Sequence, residues 1–250
     1  MDTLTPETDR LSPSRRPGGR PAGYQSWRDL LFVHWRLPAD KIAPLLPGGL
    51  TLDTWHGDAW VGLVPFRMSG VRPWWSPWGA RFLETNVRTY VHIHGRGPGV
   101  WFFSLEANHW LAVKTARALW HLNYRWAETT FERHGDLVRY RSRRRSWPKA
   151  ESHIEAHLAA EGPPRPASPG SLEHFLVERY LLYAQSPSGK LWRGQVHHHP
   201  YLLQGAELRH VDESLLAANG VAVEAPPRHV VYSPGLDVEV FPLVAVAWRR

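Results

Sequence analysis

Arg81–Tyr124 reads RFLETNVRTYVHIHGRGPGVWFFSLEANHWLAVKTARALWHLNY, and the fold turns on how its first third is understood. Side chains alternate across a strand, so Glu84, Asn86, Arg88, Tyr90 and His92 share one face and Thr85, Val87, Thr89, Val91 and Ile93 the other. A Gly/Pro turn over His94–Gly99 leads to an apolar strand, Val100–Leu105. Asn108 then reads as the cap of a helix running to Trp120. The polar strand face has two readings. It is a solvated outer surface, or it is the wall of a polar pocket inside a barrel.

Working outward, hairpin-linked strands recur on both sides. Arg28–Leu37 reads as a strand, followed by a short helix over Ala39–Leu46 that Pro47-Gly48-Gly49 stops. Leu50–Trp55 and Ala59–Met68 form a hairpin around His56-Gly57-Asp58. Arg72–Gly79 (RPWWSPWG) is an irregular, Trp-rich loop. Beyond the central stretch, Tyr124–Glu132 pairs with Leu137–Arg145, whose arginines read as a solvated stripe, and Glu151–Leu158 adds a strand. Ser171 caps a short helix (LEHFLVERY) carrying Glu173, Glu178 and Arg179. Tyr180–Ala184, Leu191–Val196, Gln204–Val211 and Val230–Val240 complete the set. About ten short strands, mostly hairpin-linked, and three or four helices predict an α+β protein with a large, mostly antiparallel sheet or β-barrel.

The 250 residues suit one domain, and 43% hydrophobic content is enough to build a core. Residues 1–23, rich in Pro, Gly, Ser and Arg, read as a disordered tail, with a single domain over 24–250. Fourteen Trp favour large packed aromatic clusters or an aromatic-lined cavity, and the absence of Cys excludes disulfides, thiolate metal sites and Cys nucleophiles. The formal charge of +7 suits an anionic small molecule and, with no recognised module beside it, does not indicate specific nucleic-acid binding. No apolar run or leader pattern marks a membrane span or secretory signal, so the expected location is cytoplasmic and no membrane partner is expected. An exposed barrel edge is compatible with a homo-oligomer.

Known catalytic motifs are missing: there is no GxSxG elbow, Walker loop or HExxH pair, and Gly95–Gly99 precedes a strand where a phosphate loop would precede a helix. His197-His198-His199 cannot all bind one ion from a regular strand, because neighbours point to opposite faces. His197 at the strand end either reaches the pocket as a substrate contact or lies on the surface with its neighbours, and neither a metal nor a cofactor is expected. What remains is acid, base and charge. Arg28 starts the first strand and can grip a carboxylate through two parallel hydrogen bonds. Glu84 can act as acid or base if burial raises its pKa. Tyr124 and Arg125 can add a donor and a cation, with Asn86 and Arg88 on the strand face as further substrate contacts.

Five blocks resemble the YqjF-like family, a domain of unknown function grouped with the acetoacetate decarboxylase-like superfamily. They are LLFVHWRLPADKIAPLLPGGLTLDTWHGDAWVGLVPFRM (30–68), ETNVRTYV (84–91), GVWFFSLEA (99–107), GSLEHFLVERYLLYA (170–184) and LWRGQVHHHP (191–200). The resemblance implies a cone-like antiparallel barrel with a central cavity. It also implies that Arg28-Asp29 and Trp35-Arg36 stand where the decarboxylases carry Arg-acid and Tyr-Arg pairs, and that Glu84 occupies the catalytic glutamate position. The chain departs from the decarboxylases where they carry two lysines after the central helix, for it has Tyr124-Arg125. Tyr cannot form an imine, and Lys114 lies some three helical turns earlier, so Schiff-base decarboxylation is not expected. The expected function is acid/base chemistry on a small carboxylate or carbonyl compound (a lyase or hydratase type of reaction), with non-catalytic small-molecule binding as the alternative.

Overall fold

A computed structural model describes residues 8–159 and 162–246. Fourteen strands form one continuous sheet: β1 (Gly23–Pro38), β2 (Thr51–Leu52), β3 (Asp58–Pro73), β4 (Ala80–Ile93), β5 (Arg96–Ala107), β6 (Tyr124–His134), β7 (Leu137–Arg144), β8 (Glu151–Leu158), β9 (Arg165–Pro166), β10 (Leu181–Gln185), β11 (Leu191–His197), β12 (Leu202–Glu213), β13 (His229–Val240) and β14 (Val244–Ala245). Three α-helices accompany them, α1 (Ala39–Ile42), α2 (Trp110–Trp120) and α3 (Leu172–Val177).

The sheet closes on itself twice, so it is ring-like rather than a simple barrel. Strands β13, β1, β3, β4 and β5 form a common wall. At each end that wall branches. The start of β5 pairs with β10 (Val100 with Leu182), while its end pairs with β6 (Leu105 with Tyr124). Likewise β13 pairs with β12 at Val231–Tyr232 and with β11 at Glu239–Val240. One ring therefore runs through β10 and β11, the other through β6, β7, β8 and β12. Both partners on the free edge of β5 are parallel to it, which requires a crossover, and α2 is the crossover to β6.

Because the common wall lies between two interiors, both of its faces are apolar or buried. Leu31, Val33, Val61, Leu63, Val87 and Phe103 pack into the second ring with Val138, Tyr140, Ile154 and Ala156. Leu30, Phe32, Val64, Phe66, Met68 and Leu105 face the first ring, against α2 and α3. Near-continuous apolar runs such as LLFV (30–33) are what a strand buried on two sides requires.

Several local expectations shift. The short first helix is α-helical only over Ala39–Ile42 and finishes as a 3₁₀ turn, Ala43–Leu45. His109, not Asn108, caps α2: its Nδ1 accepts from the Ala112 amide at 3.1 Å, while Asn108 Oδ1 accepts from the Leu83 amide at 2.8 Å and ties the loop to β4. Ser171 caps α3 as expected, accepting from the His174 amide at 3.1 Å. The helix stops at Val177, so Glu178 and Arg179 turn inward instead of lying on an exposed helical face, at 5% and 7% exposure.

The sequence reading places residues 1–23 outside the domain as a disordered tail. In the structure residues 8–22 run along it, and residues 1–7 of that expected tail lie outside the described residues. Pro13 is buried, Gln195 donates to the carbonyls of Pro13 and Arg15, Arg16 pairs with Glu239, and Arg10 pairs with Asp53. Polar composition alone does not keep a segment loose when a sheet edge offers it carbonyl partners and carboxylates.

Candidate active site

A cavity of about 230 Å³ occupies the first ring. Its wall is mostly apolar and aromatic, including Phe66, Phe82, Phe102 and Trp120, with α2 closing one side through Ala112, Thr115, Ala116 and Trp120. Glu84, Asn86 and Arg88 supply polar groups from alternate positions of β4, so the polar face of that strand is a pocket wall and not a solvated surface. Tyr124, at the start of β6, joins them because Leu105 on β5 pairs with both Asn86 and Tyr124.

The acid of the site is Glu84. It is 3% exposed, and the Tyr124 hydroxyl donates to its Oε2 at 2.7 Å. Burial raises its pKa to about 7; the hydrogen bonds from Tyr124 and Asn86 act in the opposite direction, and the nearby negative charge of Glu106 adds to the rise. Burial and the Glu84 charge also push the Tyr124 phenol well above its usual value, so it stays a proton donor. A carboxyl poised near neutrality beside a fixed hydroxyl donor can take or give a proton.

The cation of the site is Arg88, 7% exposed. Its Nη2 donates to the Leu176 carbonyl at 3.0 Å, and its guanidinium carbon sits 5.4 Å from the Phe32 ring centre and 5.9 Å from that of Tyr90. No carboxylate pairs with it among the described residues, and its Nε has no hydrogen-bond partner. Arg88 is kept from solvent by the end of α3 and by the Phe32 and Tyr90 rings, all on the first-ring side of β4.

Three other expected site residues are placed elsewhere. Arg28 leaves the cavity: it donates to the Trp27 and Leu236 carbonyls and pairs with Asp237 at 2.6 Å on the surface. The cause is a one-residue bulge. Asp29 has φ of 51°, and the register of β1 against β3 shifts between Arg28 and Val33. Trp27 and Leu30 consequently both line the cavity, and Arg28, which simple alternation places with Leu30, is turned out. Arg125 lies on the opposite side of β6 from Tyr124, half-buried; burial and the neighbouring Arg144 and Arg117 lower its pKa. His197 Nδ1 faces the Ser14 carbonyl at 3.1 Å and lines a surface groove beside the N-terminal segment.

The sequence reading missed Arg179, Tyr180 and Tyr201, which line the cavity, and His198, which stacks on Tyr180 with ring centres 4.5 Å apart. Arg179 donates through Nε to the Phe175 carbonyl and through Nη1 to Asp53, both at 2.7 Å. The available signal was an adjacent Glu178-Arg179 pair set inside an otherwise apolar and aromatic run, FLVERYLLY (175–183).

None of the four lysines lines the cavity; Lys114 is exposed, its amine 4.0 Å from the centre of the Trp110 ring. Among the described residues no cluster of three or more His, Asp or Glu could hold a metal ion, and no helix is long and apolar enough to cross a membrane.

Comparisons with known proteins fit this architecture. The chain is 38% identical over 222 residues to the uncharacterized protein YqjF of Bacillus subtilis (strain 168), covering 88% of this chain and 90% of that one. Among solved structures it is similar to the enduracididine biosynthesis enzyme MppR complexed with pyruvate (TM-score 0.61, 12% identity, 92% of each chain). It is also similar to acetoacetate decarboxylase from Legionella pneumophila (TM-score 0.61, 13% identity, 96% and 94% covered) and an acetoacetate decarboxylase-like enzyme from Sphingomonas wittichii RW1 (TM-score 0.61, 14% identity, 91% and 94% covered). At such identities these likenesses speak for the fold alone. A family model, described as an uncharacterized conserved protein, matches residues 24–237, and the chain therefore belongs to the DUF2071 family, on an acetoacetate decarboxylase-like fold.

Proposed function

We propose that the protein is an enzyme that moves protons on a small organic acid or carbonyl compound, with Glu84 as acid/base and no imine intermediate. The observation that carries this reading is the Glu84 carboxyl, held by Tyr124 at 2.7 Å in the wall of a mostly apolar cavity and poised near pH 7. Tyr124 orients that carboxyl and supports charge on a reacting oxygen. Arg88 provides the positive charge that draws an anionic substrate out of water. The structurally similar enzyme complexed with pyruvate supports a small carboxylate or carbonyl compound as the substrate class. Protonation or deprotonation beside a carbonyl, as in hydration, dehydration or aldol-type reactions, matches these groups.

Exchange of carbonyl-adjacent protons in heavy water, followed by NMR across a panel of oxo acids, tests the proposal. Wild type is expected to catalyse exchange with a pH limb near 7, and Glu84→Gln to lose both the limb and at least about 100-fold of the rate. Saturable binding with no exchange, identical in wild type and Glu84→Gln, would instead identify a binding protein.

A further inference from the structure

Three polar atoms on the cavity wall have no hydrogen-bond partner among the described residues: Asn86 Oδ1, Arg88 Nε and Arg179 Nη2. All three side chains are more than nine-tenths buried. The two arginines are tethered to consecutive carbonyls at the end of α3, Arg179 to Phe175 and Arg88 to Leu176. They also share the Tyr90 ring, at 4.9 and 5.9 Å from its centre, and the Tyr90 hydroxyl donates to the same Leu176 carbonyl at 2.7 Å. Their negative charge is scarce. Asp53 serves Arg179 and Arg10 together, at 2.7 and 2.5 Å. Glu178 is turned to the Tyr180 hydroxyl and the Tyr201 amide, at 2.6 and 2.9 Å. A buried guanidinium without a counter-ion is costly, and an anion supplied from outside relieves that cost.

We propose that Arg88 and Arg179 form an anion subsite at the end of the cavity away from Glu84, and that the ligand is an extended organic monocarboxylate rather than a compact one. This deepens, and rests on, the reading of the cavity as a substrate site. Glu84 and Arg88 are four residues apart on β4, about 13 Å between Cα atoms. The Arg88 guanidinium leans over Tyr90, the next residue of the same face on the far side from Glu84. Tyr124 holds the Glu84 carboxyl at the opposite end. A carboxylate seated on Arg88 thus has its own α-carbon well short of Glu84, and the proton-transfer position falls several bonds along the chain. Between the ends, Asn86 Oδ1 asks for a hydroxyl or N–H donor, and Val64, Phe66, Phe102 and Leu105 ask for an apolar body. The volume of about 230 Å³ equals roughly eight waters at their liquid volume of about 30 Å³ each, which bounds the ligand to roughly eight to twelve non-hydrogen atoms. The class is a medium-chain or aryl-alkyl acid bearing a polar group near its distal end.

Calorimetric titration of the full chain with octanoate and 3-phenylpropionate, each beside its primary amide, and with acetate and pyruvate, tests this. The longer acids are expected to bind at least about 10-fold more tightly than their amides, since the charge-assisted contacts are lost in the amide. They are also expected to bind at least about 10-fold more tightly than acetate or pyruvate, which leave the apolar wall uncovered. Arg88→Gln and Arg179→Gln should each abolish the preference for acid over amide, and Glu84→Gln should retain it. Amides binding as well as acids, pyruvate matching the longer acids, or no acid binding at all would each overturn the anion subsite. These comparisons use wild-type protein and stand even if an arginine variant fails to fold. Proton exchange lost in Glu84→Gln, alongside indifference between acid and amide, would sink the subsite while leaving the acid/base reading in place.

Discussion

The two rings share one wall and treat the buried charges of that wall differently, although the first ring also holds one buried pair, Arg179 with Asp53 at 2.7 Å. In the second ring Arg144 and Glu106, 1% and 0% exposed, meet through two hydrogen bonds at 2.6 and 3.1 Å, with Ser104 accepting from Arg144 at 3.1 Å. The two charges there are each other's partners, and the same ring holds an apolar cluster that includes Val138, Ile154 and Ala156. In the first ring Glu84 faces only a tyrosine hydroxyl among ionisable groups within hydrogen-bond reach, Arg88 faces a carbonyl and two aromatic rings, and a cavity lies between them. The strand that supplies Glu84 also pairs with the strand that supplies Glu106, so secondary structure and depth are the same and the partner is what differs. Paired buried ions satisfy one another; unpaired ones beside a void are what the proposed substrate site rests on.

Mutation should separate the two with opposite signs. Arg144→Ala leaves Glu106 buried and alone, and is expected to cost about 3–5 kcal/mol by denaturant unfolding, the largest effect in the molecule. Arg88→Met removes a charge that has no counter-ion, and is expected to leave stability within about 1 kcal/mol of wild type or above it. If Arg88→Met destabilises as much as Arg144→Ala, the first ring is held together by its charges and the contrast fails.

Next in size is the pH dependence set by Glu84. Its folded pKa, about 7, lies above the ordinary carboxyl value of 4.5, so the native state binds the extra proton between those limits. Stability from this group is therefore greatest below about pH 4.5, falls as pH rises to about 7, and is flat above. The full swing is on the order of 3 to 4 kcal/mol, at about 1.4 kcal/mol per pH unit. Glu84→Gln should remove that slope and melt higher than wild type at pH 8; an unchanged slope would show that Glu84 ionises freely.

Smaller still, Tyr124→Phe deletes the donor that favours the ionised carboxyl. The Glu84 pKa should climb by roughly one unit, with the limb of any proton-exchange profile moving to higher pH. A limb that moved to lower pH would exclude Tyr124 as its donor. Smallest is Arg28→Ala. Its ion pair with Asp237 is surface-exposed, so stability should change by less than about 1 kcal/mol and ligand binding in the cavity not at all. A loss of binding would return Arg28 to the site.

Much of this was legible in the residues. Alternation along ETNVRTYV puts Glu84, Asn86 and Arg88 on one face, and the apolar neighbours make that face a plausible interior. The succession of strands along the chain and the helix between β5 and β6 follow from turn chemistry and periodicity. Arg28 was misplaced because a bulge at Asp29 reverses the faces of β1, and a non-glycine residue at φ of 51° leaves no mark in the sequence. Arg125 was placed beside Tyr124 although adjacent strand residues cannot share a face. Arg179 escaped notice because its helix ends earlier than its periodicity suggests.

Sequence by itself determined the strand-rich class, the polar face of β4, the absence of thiol chemistry and the lack of a lysine just after α2, since each depends on residue type and spacing within a single element. Only tertiary structure decided that β4 is a wall between two interiors, that Glu84 meets Tyr124, and that Arg88 lacks the partner Arg144 has. Those outcomes depend on where the sheet branches at β5 and β13 and on one bulge in β1. Both are long-range pairings, in which a register step of one residue turns a side chain from cavity to solvent.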